Sequence, residues 1–496
     1  MLPRWRYSFS FVGGLLIPLS LSPYDFYLII FPSIAFFLYA LRSADKRTAF
    51  FVGWFYGVGA FGLGVWWIQV SIHQFGIPYW LFSGGLTLLF IALMALYFAV
   101  LGLLLSFCNS SSVSYLFHVP ILWLLSEYIR SNLFSGFPWL LVGYSQVDGP
   151  LKGWMPVVGS LGCSGIVVFV VAMCFWLSNY TRKKFISAVV ILFGVFLSAS
   201  ILEKIEWTSS DGADLQVALV QGAIKQDIKW QSSERFRSIE RYLKLTNENW
   251  DSDVIIWPET AIPTLSENIP ELVSFLKKYG KKNSTDVLIG IPTRNPIDGK
   301  YYNSLLQLGS SLDRYSKIKL VPYGEYFPGK DYFGFLNDFL LIPMADLSPG
   351  APSKNSFTIR GREVGILICY EIAFKDRAFS SLPESSYLVN VSNDAWFGDT
   401  SAPFQHLQIA RVRALESGRP IARSTNTGFT AFIDHKGRVE KKGPQFVPAV
   451  LVGTITGRVG STPYIKYGDM PALIISITII LWFSNNFIRR LIYSED

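Results

Sequence analysis

Residues 364–371 read Val-Gly-Ile-Leu-Ile-Cys-Tyr-Glu. A short aliphatic run of this kind is what a sheet buries on both faces, and here it ends abruptly in a thiol and a carboxylate. Just upstream, Gly361-Arg362 separates it from Phe357-Thr-Ile359 as a hairpin turn would. Similar runs recur at 215–220, 254–257, 287–291, 318–321, 387–391 and 431–433, with polar or helix-like stretches between them, and His435-Lys-Gly437 reads as a second hairpin turn. This alternation predicts an α/β or α+β domain with buried sheets.

Three reactive side chains sit at the ends of these runs: Glu259 after Val254-Ile-Ile-Trp-Pro, Lys317 before Ile318-Lys-Leu-Val-Pro, and Cys369 after Val364-Gly-Ile-Leu-Ile. Strand ends present groups to a common cleft. A thiol attacks only as thiolate or beside a base, so a carboxylate can take its proton while an ammonium stabilises the developing oxyanion. The trio is self-consistent for acyl transfer. Taken singly, a cysteine at a strand end is a common core residue and a Glu or Lys nearby is commonly solvated. His406 is unnecessary beside the Glu/Lys pair, and Asp394, Arg411, Arg413 and Arg423 read as structural or surface groups.

Charge divides the chain. Of its 496 residues, 1–203 hold 10 Lys/Arg and 5 Asp/Glu, whereas 204–468 hold 32 and 28, a roughly threefold change in density. The near balance in the second block gives nucleic-acid binding no support. Bilayer spans need about 20 apolar residues each, and candidates lie at 8–22, 24–41, 49–70, 79–107, 116–135, 163–180, 185–203 and 470–488. The expected organisation is a helical bundle of about seven spans over 1–203, a catalytic domain over 204–468, and a last span with a short tail over 469–496. Arg4/Arg6, Arg42/Lys46/Arg47, Arg182/Lys183/Lys184 and Arg489/Arg490 then fall on one side, which places both termini in the cytoplasm and the catalytic domain outside.

Within the bundle, Gly57-Val-Gly-Ala-Phe-Gly62 matches a dinucleotide fingerprint by letter but follows no strand, so Gly53 and Gly57 read as close helix packing. Glu127 pairs with Arg130 one turn on, or else marks a functional site within a span. Trp139 and Tyr144, in an aromatic loop, anchor at the interface or line a lipid-facing opening. Neither the four cysteines nor the four histidines form a disulfide framework or a zinc-type cluster, so no metal and no cofactor is expected. Residues 323–342, with Tyr323, Tyr326, Phe327, Tyr332, Phe333, Phe335 and Phe339, predict a lid that dips into the membrane interface.

Cys369-Tyr370-Glu371, Trp257-Pro258-Glu259 with Thr260-Ala-Ile-Pro263, and Tyr315-Ser-Lys317 running to Glu325 together resemble the carbon–nitrogen hydrolase (nitrilase) superfamily. Further stretches extend the likeness over nearly the whole chain to the bacterial apolipoprotein N-acyltransferase family. They are Ser71-Ile-His-Gln-Phe-Gly76, Gly136-Phe-Pro-Trp139, Gly143-Tyr-Ser-Gln146, Val220-Gln-Gly222, Lys229-Trp230, Tyr302-Asn303, Thr462-Pro-Tyr464 and Gly468-Asp469. The sequence departs from that pattern at Ala223, where the family often has Asn, and at Trp66-Trp67, where it often reads Ser-Trp.

The resemblance implies an αββα sandwich on eight transmembrane helices in the bacterial inner membrane, with the sandwich periplasmic. It puts the catalytic acid/base on Glu259, the lysine on Lys317 and the acyl-accepting thiol on Cys369, with Glu325, Tyr370 and Glu371 in support. Trp230, Asn303, Trp139, Trp396 and Phe397 are the expected substrate contacts. The implied reaction is ping-pong. An acyl chain passes from a phospholipid, phosphatidylethanolamine being the expected donor, to a Cys369 thioester, and then to the α-amine of a diacylglyceryl-cysteine at an apolipoprotein's N-terminus. A monomer is expected. The alternatives are a membrane-anchored nitrilase-type amidase, in which water replaces the amine, and a transporter or receptor, disfavoured by the scarcity of ionisable residues in the spans.

Overall fold

The structure is a computed structural model that describes residues 4–108, 113–177, 181–326, 346–352 and 355–492. Two compact units divide it. One gathers the chain up to Trp66, Leu86–Glu206 and the chain from Thr462 on; the other joins Trp67–Gly85 to Trp207–Ser461.

The chain up to residue 206 forms helices α1 (Trp5–Leu19), α2 (Ile30–Leu41), α3 (Lys46–Gly64), α4 (Ile68–Phe75), α5 (Trp80–Leu105), α6 (Tyr115–Asn132), α7 (Met155–Trp176) and α8 (Arg182–Leu202). Among the described residues, Trp80–Leu105, Lys152–Trp176 and Arg182–Leu202 are long and apolar enough to cross a membrane, and α3 with α4 makes a fourth if that pair, bent by 59°, is one span. The apolar run at 49–70 is therefore broken rather than continuous. Gly53 and Gly57 are packing glycines: an added Cβ would lie 2.0 Å from the Phe98 carbonyl oxygen and 2.6 Å from the Ala95 Cα, both on α5.

Glu127 and Arg130 both bind the loop that follows α6. Glu127 Oε1 accepts from Trp123 Nε1 and from the Val142 N–H, each at 3.0 Å, while Arg130 donates to the Phe137 and Trp139 carbonyls. A buried carboxylate and guanidinium thereby satisfy a non-helical turn, which explains both charges in an apolar run.

Among the described residues of the second unit, the strands are β1 (Thr208–Gln221), β2 (Val254–Ile256), β3 (Asp286–Arg294), β4 (Tyr301–Leu308), β5 (Arg314–Ser316), β6 (Ser356–Ile359), β7 (Arg362–Ile368), β8 (Tyr387–Ser392), β9 (Ile421–Thr425), β10 (Ala431–Ile433), β11 (Val439–Lys442) and β12 (Ala449–Gly460). They form two six-stranded sheets, ordered β12-β1-β2-β3-β4-β5 and β11-β10-β9-β8-β7-β6. The central strands β1-β2-β3 and β7-β8-β9 are parallel and the outer pairings antiparallel.

Side-chain alternation builds the layers. Leu215, Val217, Leu219 and Ile256 of the first sheet meet Ile366, Ile368, Val389 and Val391 of the second in one core. Ala218, Val220, Ile255 and Ile289 turn the other way, toward Tyr242 of α10 (Ser232–Asn247) and Leu272 and Leu276 of α11 (Pro270–Asn283). Both faces of each central strand are covered, which is why these runs read as continuously apolar. The run 318–321 is not a strand. The N–H groups of Ile318 and Lys319 bind the Glu371 carboxylate in place of a neighbouring strand.

Candidate active site

Glu259, Asn303, Lys317, Cys369 and Asn393 converge because the strands that carry them end, or begin, at one edge of the sandwich. Glu259 follows β2, Cys369 follows β7 and Asn393 follows β8, all at carboxyl ends of parallel strands. Asn303 lies in β4 opposite Pro292 of β3, and its carbonyl accepts the Lys317 N–H at 2.8 Å just past β5. Lys317 thus follows a strand rather than preceding one.

The Lys317 ammonium lies 3.2 Å from Glu259 Oε1 and 2.9 Å from the Glu325 carboxylate, and its side chain is 1% exposed. Asn303 Nδ2 donates to the same two carboxylates, at 2.7 Å to Glu259 and 2.9 Å to Glu325. The other Glu259 oxygen accepts the Asn393 N–H at 2.8 Å. Burial alone would lower the Lys317 pKa, but Glu259 and Glu325 outweigh it and hold the ammonium well above its ordinary value. Lys317 is a fixed cation. Its N–H donors face the carboxylate oxygens of Glu259 and Glu325.

Cys369 is buried and adopts φ +51°, the left-handed region that costs a non-glycine residue about 1–2 kcal/mol. Two groups hold that elbow. Glu371 Oε2 accepts the Ile368 N–H at 2.9 Å, and His406 Nε2 lies 3.3 Å from the Cys369 carbonyl oxygen. Burial pushes the Cys369 thiol well above its usual value, the Glu259 charge adds to this, and Lys317 opposes it. A thiolate does not form unaided here, so attack needs a base in the same step.

Glu371 couples the two halves of the trio. Its Oε1 accepts from the Tyr315 hydroxyl at 2.8 Å and from the N–H groups of Ile318 at 2.8 Å and Lys319 at 3.2 Å, flanking Lys317, while Oε2 holds the residue before Cys369. Tyr370 packs edge-on against Phe374 at 4.8 Å.

A second buried network lies behind the cysteine. Asp394 accepts from Ser392 Oγ and from Arg423, each at 2.9 Å, and faces His406 Nδ1 at 2.9 Å; Arg423 also binds Asn390. Although burial opposes it, Arg423 and His406 hold the Asp394 carboxyl well below the usual carboxylate range. Arg413 donates to the Ile372 and Ala373 carbonyls, at 3.1 and 2.9 Å, and pins the turn after Cys369. Asp394, Arg413 and Arg423 are accordingly interior supports of the cysteine loop, not surface groups.

Of the remaining expected contacts, Trp230 caps the short helix α9 (Gln226–Lys229), beside Asn393, whose side chain donates to Gln226 Oε1 at 2.8 Å. Trp396 and Phe397 are half-buried and meet Phe75 and Trp67 edge-on, at 4.8 Å each. Trp139 is buried in the helical unit, so interfacial exposure of its ring does not hold. In the lid at 323–342, Tyr323 and Tyr326 are described, whereas Phe327, Tyr332, Phe333, Phe335 and Phe339 lie outside the described residues. Sequence reasoning misses Asn393, which acts through its backbone N–H, and reads Lys229 only as part of the Lys229-Trp230 stretch, its burial emerging from the fold.

Two buried sheets that deliver a carboxylate, a lysine and a cysteine to one edge define a carbon–nitrogen hydrolase, and the family model described as Carbon-nitrogen hydrolase matches residues 216–464. A second model, Apolipoprotein N-acyltransferase N-terminal domain, matches residues 13–173. Proteins named Apolipoprotein N-acyltransferase align over nearly the full length: 37% identity with that of Methylococcus capsulatus (94% of this chain, 93% of that one) and 36% with that of Coxiella burnetii (95% and 98%). That of Nitrosomonas europaea shares 38% identity, over 90% of each chain. The chain belongs to the apolipoprotein N-acyltransferase family.

Proposed function

We propose that this protein transfers an acyl chain from a phospholipid, through a thioester on Cys369, to the α-amine of the diacylglyceryl-cysteine that begins an apolipoprotein. The observation that carries this reading is the Glu259–Lys317–Cys369 constellation, with Lys317 clamped between two buried carboxylates beside a thiol that needs a base.

In the first half-reaction Glu259 takes the Cys369 proton as sulfur attacks the ester carbonyl. The Lys317 ammonium stabilises the oxyanion. Collapse expels the lysophospholipid alkoxide, which leaves with the proton held by Glu259. In the second half-reaction the acceptor amine attacks the thioester, and Glu259 takes a proton from that nitrogen and passes it to the departing sulfur. Glu325 and Asn303 keep Lys317 and Glu259 in register, and Glu371 and Tyr370 shape the loops on either side. Trp230, Asn303, Trp396 and Phe397 contact substrate.

Both substrates carry several acyl chains, and lifting one out of a bilayer costs about 0.8 kcal/mol per CH₂. That cost favours a site held at the membrane: eight spans, residues 204–468 as the outer catalytic domain of an inner-membrane protein, and both termini cytoplasmic. The clustering of Lys and Arg at Arg4/Arg6, 42–47, 182–184 and 489–490 supports this topology. The donor is phosphatidylethanolamine and the enzyme acts as a monomer. Intact mass after incubation with that lipid tests the reading. A hydroxylamine-labile acyl adduct, absent from Cys369→Ala, is the expected result; no adduct and no lysophospholipid would refute it.

A further inference from the structure

Lys229 is 1% exposed, and its Nζ has no hydrogen-bond partner among the described residues. It sits one turn after Gln226 on α9, hence on the same side of the helix, and Gln226 receives the side chain of Asn393, whose N–H holds Glu259. Lys225 and Asp227, on the same helix, are exposed; among the described residues, Glu259 is the ionised group whose field reaches the amine. An ammonium buried without a hydrogen-bond acceptor is costly, so the neutral amine, with its lone pair, is within reach near neutral pH. Burial indeed brings Lys229 down to about 7.

The aminolysis step has a use for such a group. An α-amine titrates at about 7.7–8.0, so the acceptor arrives largely as an ammonium near neutral pH. It must lose one proton before it can attack and another as the amide forms. Glu259 returns one of these to sulfur. Lys317, held charged by two carboxylates, cannot accept the other.

We propose that Lys229 is the second base of aminolysis. It removes the first proton from the incoming α-ammonium. The freed amine then forms the C–N bond, Glu259 takes the second proton and delivers it to Sγ as the C–S bond breaks, and Lys229 releases its proton to solvent. This rests on the acyl-transfer reading above.

The test separates the two half-reactions of the full-length enzyme. Wild type, Lys229→Met and Lys229→Arg are acylated with phosphatidylethanolamine, then mixed with a synthetic diacylglyceryl-cysteine peptide, and loss of the acyl adduct is followed by mass from pH 6 to 9. Expected are acylation within about twofold of wild type in both variants and aminolysis about 10²-fold slower at pH 7. The variants' aminolysis rate should climb until the acceptor amine itself deprotonates. A guanidinium cannot act as a base. Normal aminolysis in Lys229→Arg would mean that the charge serves only to contact an anion, and equal slowing of acylation would mean a structural role; either overturns the proposal. Failure of wild type to form the Cys369 adduct would instead bring down the acyl-transfer reading, and this proposal with it.

Discussion

The backbone N–H of Asn393 donates to Glu259 Oε2 at 2.8 Å, and this bond joins the two sheets at the site, since Glu259 follows β2 of one and Asn393 follows β8 of the other. Every donor facing Glu259 (Asn393, Asn303, Lys317) points at an acceptor-only carboxylate. In Glu259→Gln an amide NH₂ must face one of those donors, and the base is lost as well. Acylation of Cys369 by phospholipid is expected to fall by 10² or more, read as adduct mass against time. An unchanged rate would take the base role away from Glu259.

Gly290 gives that carboxylate its room. A Cβ at this position would lie 2.1 Å from the Pro258 carbonyl oxygen and 2.8 Å from the Glu259 Cα, both backbone atoms that cannot yield cheaply. Gly290→Ala therefore moves the Glu259 turn. A displacement near 1 Å costs about 10²-fold in rate, so acylation should drop by that order while the protein still folds. Wild-type kinetics in this variant would show that the turn tolerates the shift.

Much of this was legible in the chain itself. Val254-Ile-Ile and Val364-Gly-Ile-Leu-Ile announce strands covered on both faces, and the groups at their ends announce the trio. What escaped the reading depends on partners distant in sequence. Run 318–321 is apolar enough for a strand, yet its N–H groups go to Glu371, more than 50 residues away. Asp394, Arg413 and Arg423 read as either structural or surface groups, and only the fold, which buries them around the cysteine loop, decides for the first. Strands β4, β5, β9 and β12 were missed, β9 because Ile421-Ala-Arg-Ser-Thr425 carries a charge that its contacts with Asp394, Asn390 and His406 explain.

Lys229 also makes a prediction about stability. Its folded value near 7 lies below the ordinary lysine value of 10.5, so between those limits the unfolded chain binds the extra proton and wild-type stability rises with pH. Lys229→Met has no such penalty. It should be more stable than wild type at pH 6.5, and the margin should shrink by up to about 1.4 kcal/mol per pH unit between 7 and 10.5. Thermal unfolding in detergent across that range reads the difference. A margin independent of pH would show that the amine is not held neutral.

Asp394→Ala removes the carboxylate that faces both Arg423 and His406. The stability contributed by a carboxyl held this low is present above its unfolded value near 4 and lost as pH falls through the folded value, so at pH 7 all of it is at stake. Arg423 would be left buried without its carboxylate, with Asn390 and His406 as neutral partners, a loss of about 3–5 kcal/mol. A melting temperature unchanged at pH 7 would contradict the pairing.

The last relationship concerns α4, which belongs to the same compact unit as the sandwich. Ser71 Oγ donates to the Trp396 carbonyl at 2.7 Å, Trp67 Nε1 donates to Gln405 at 3.1 Å, and Phe75 and Trp67 meet Trp396 and Phe397 edge-on at 4.8 Å. The turn they grip begins at Asp394, directly after the residue whose N–H holds Glu259. If the aromatic pair only walls the acyl chain, loosening it raises KM and leaves kcat alone; if α4 is a strut for the base, kcat falls at constant KM. An edge-on ring pair and a hydrogen bond are worth about 1 kcal/mol each. Ser71→Ala with Phe75→Ala should therefore lower kcat for acylation about tenfold, with KM for phosphatidylethanolamine within twofold of wild type. A rise in KM at unchanged kcat would assign Trp396 and Phe397 to the lipid wall alone.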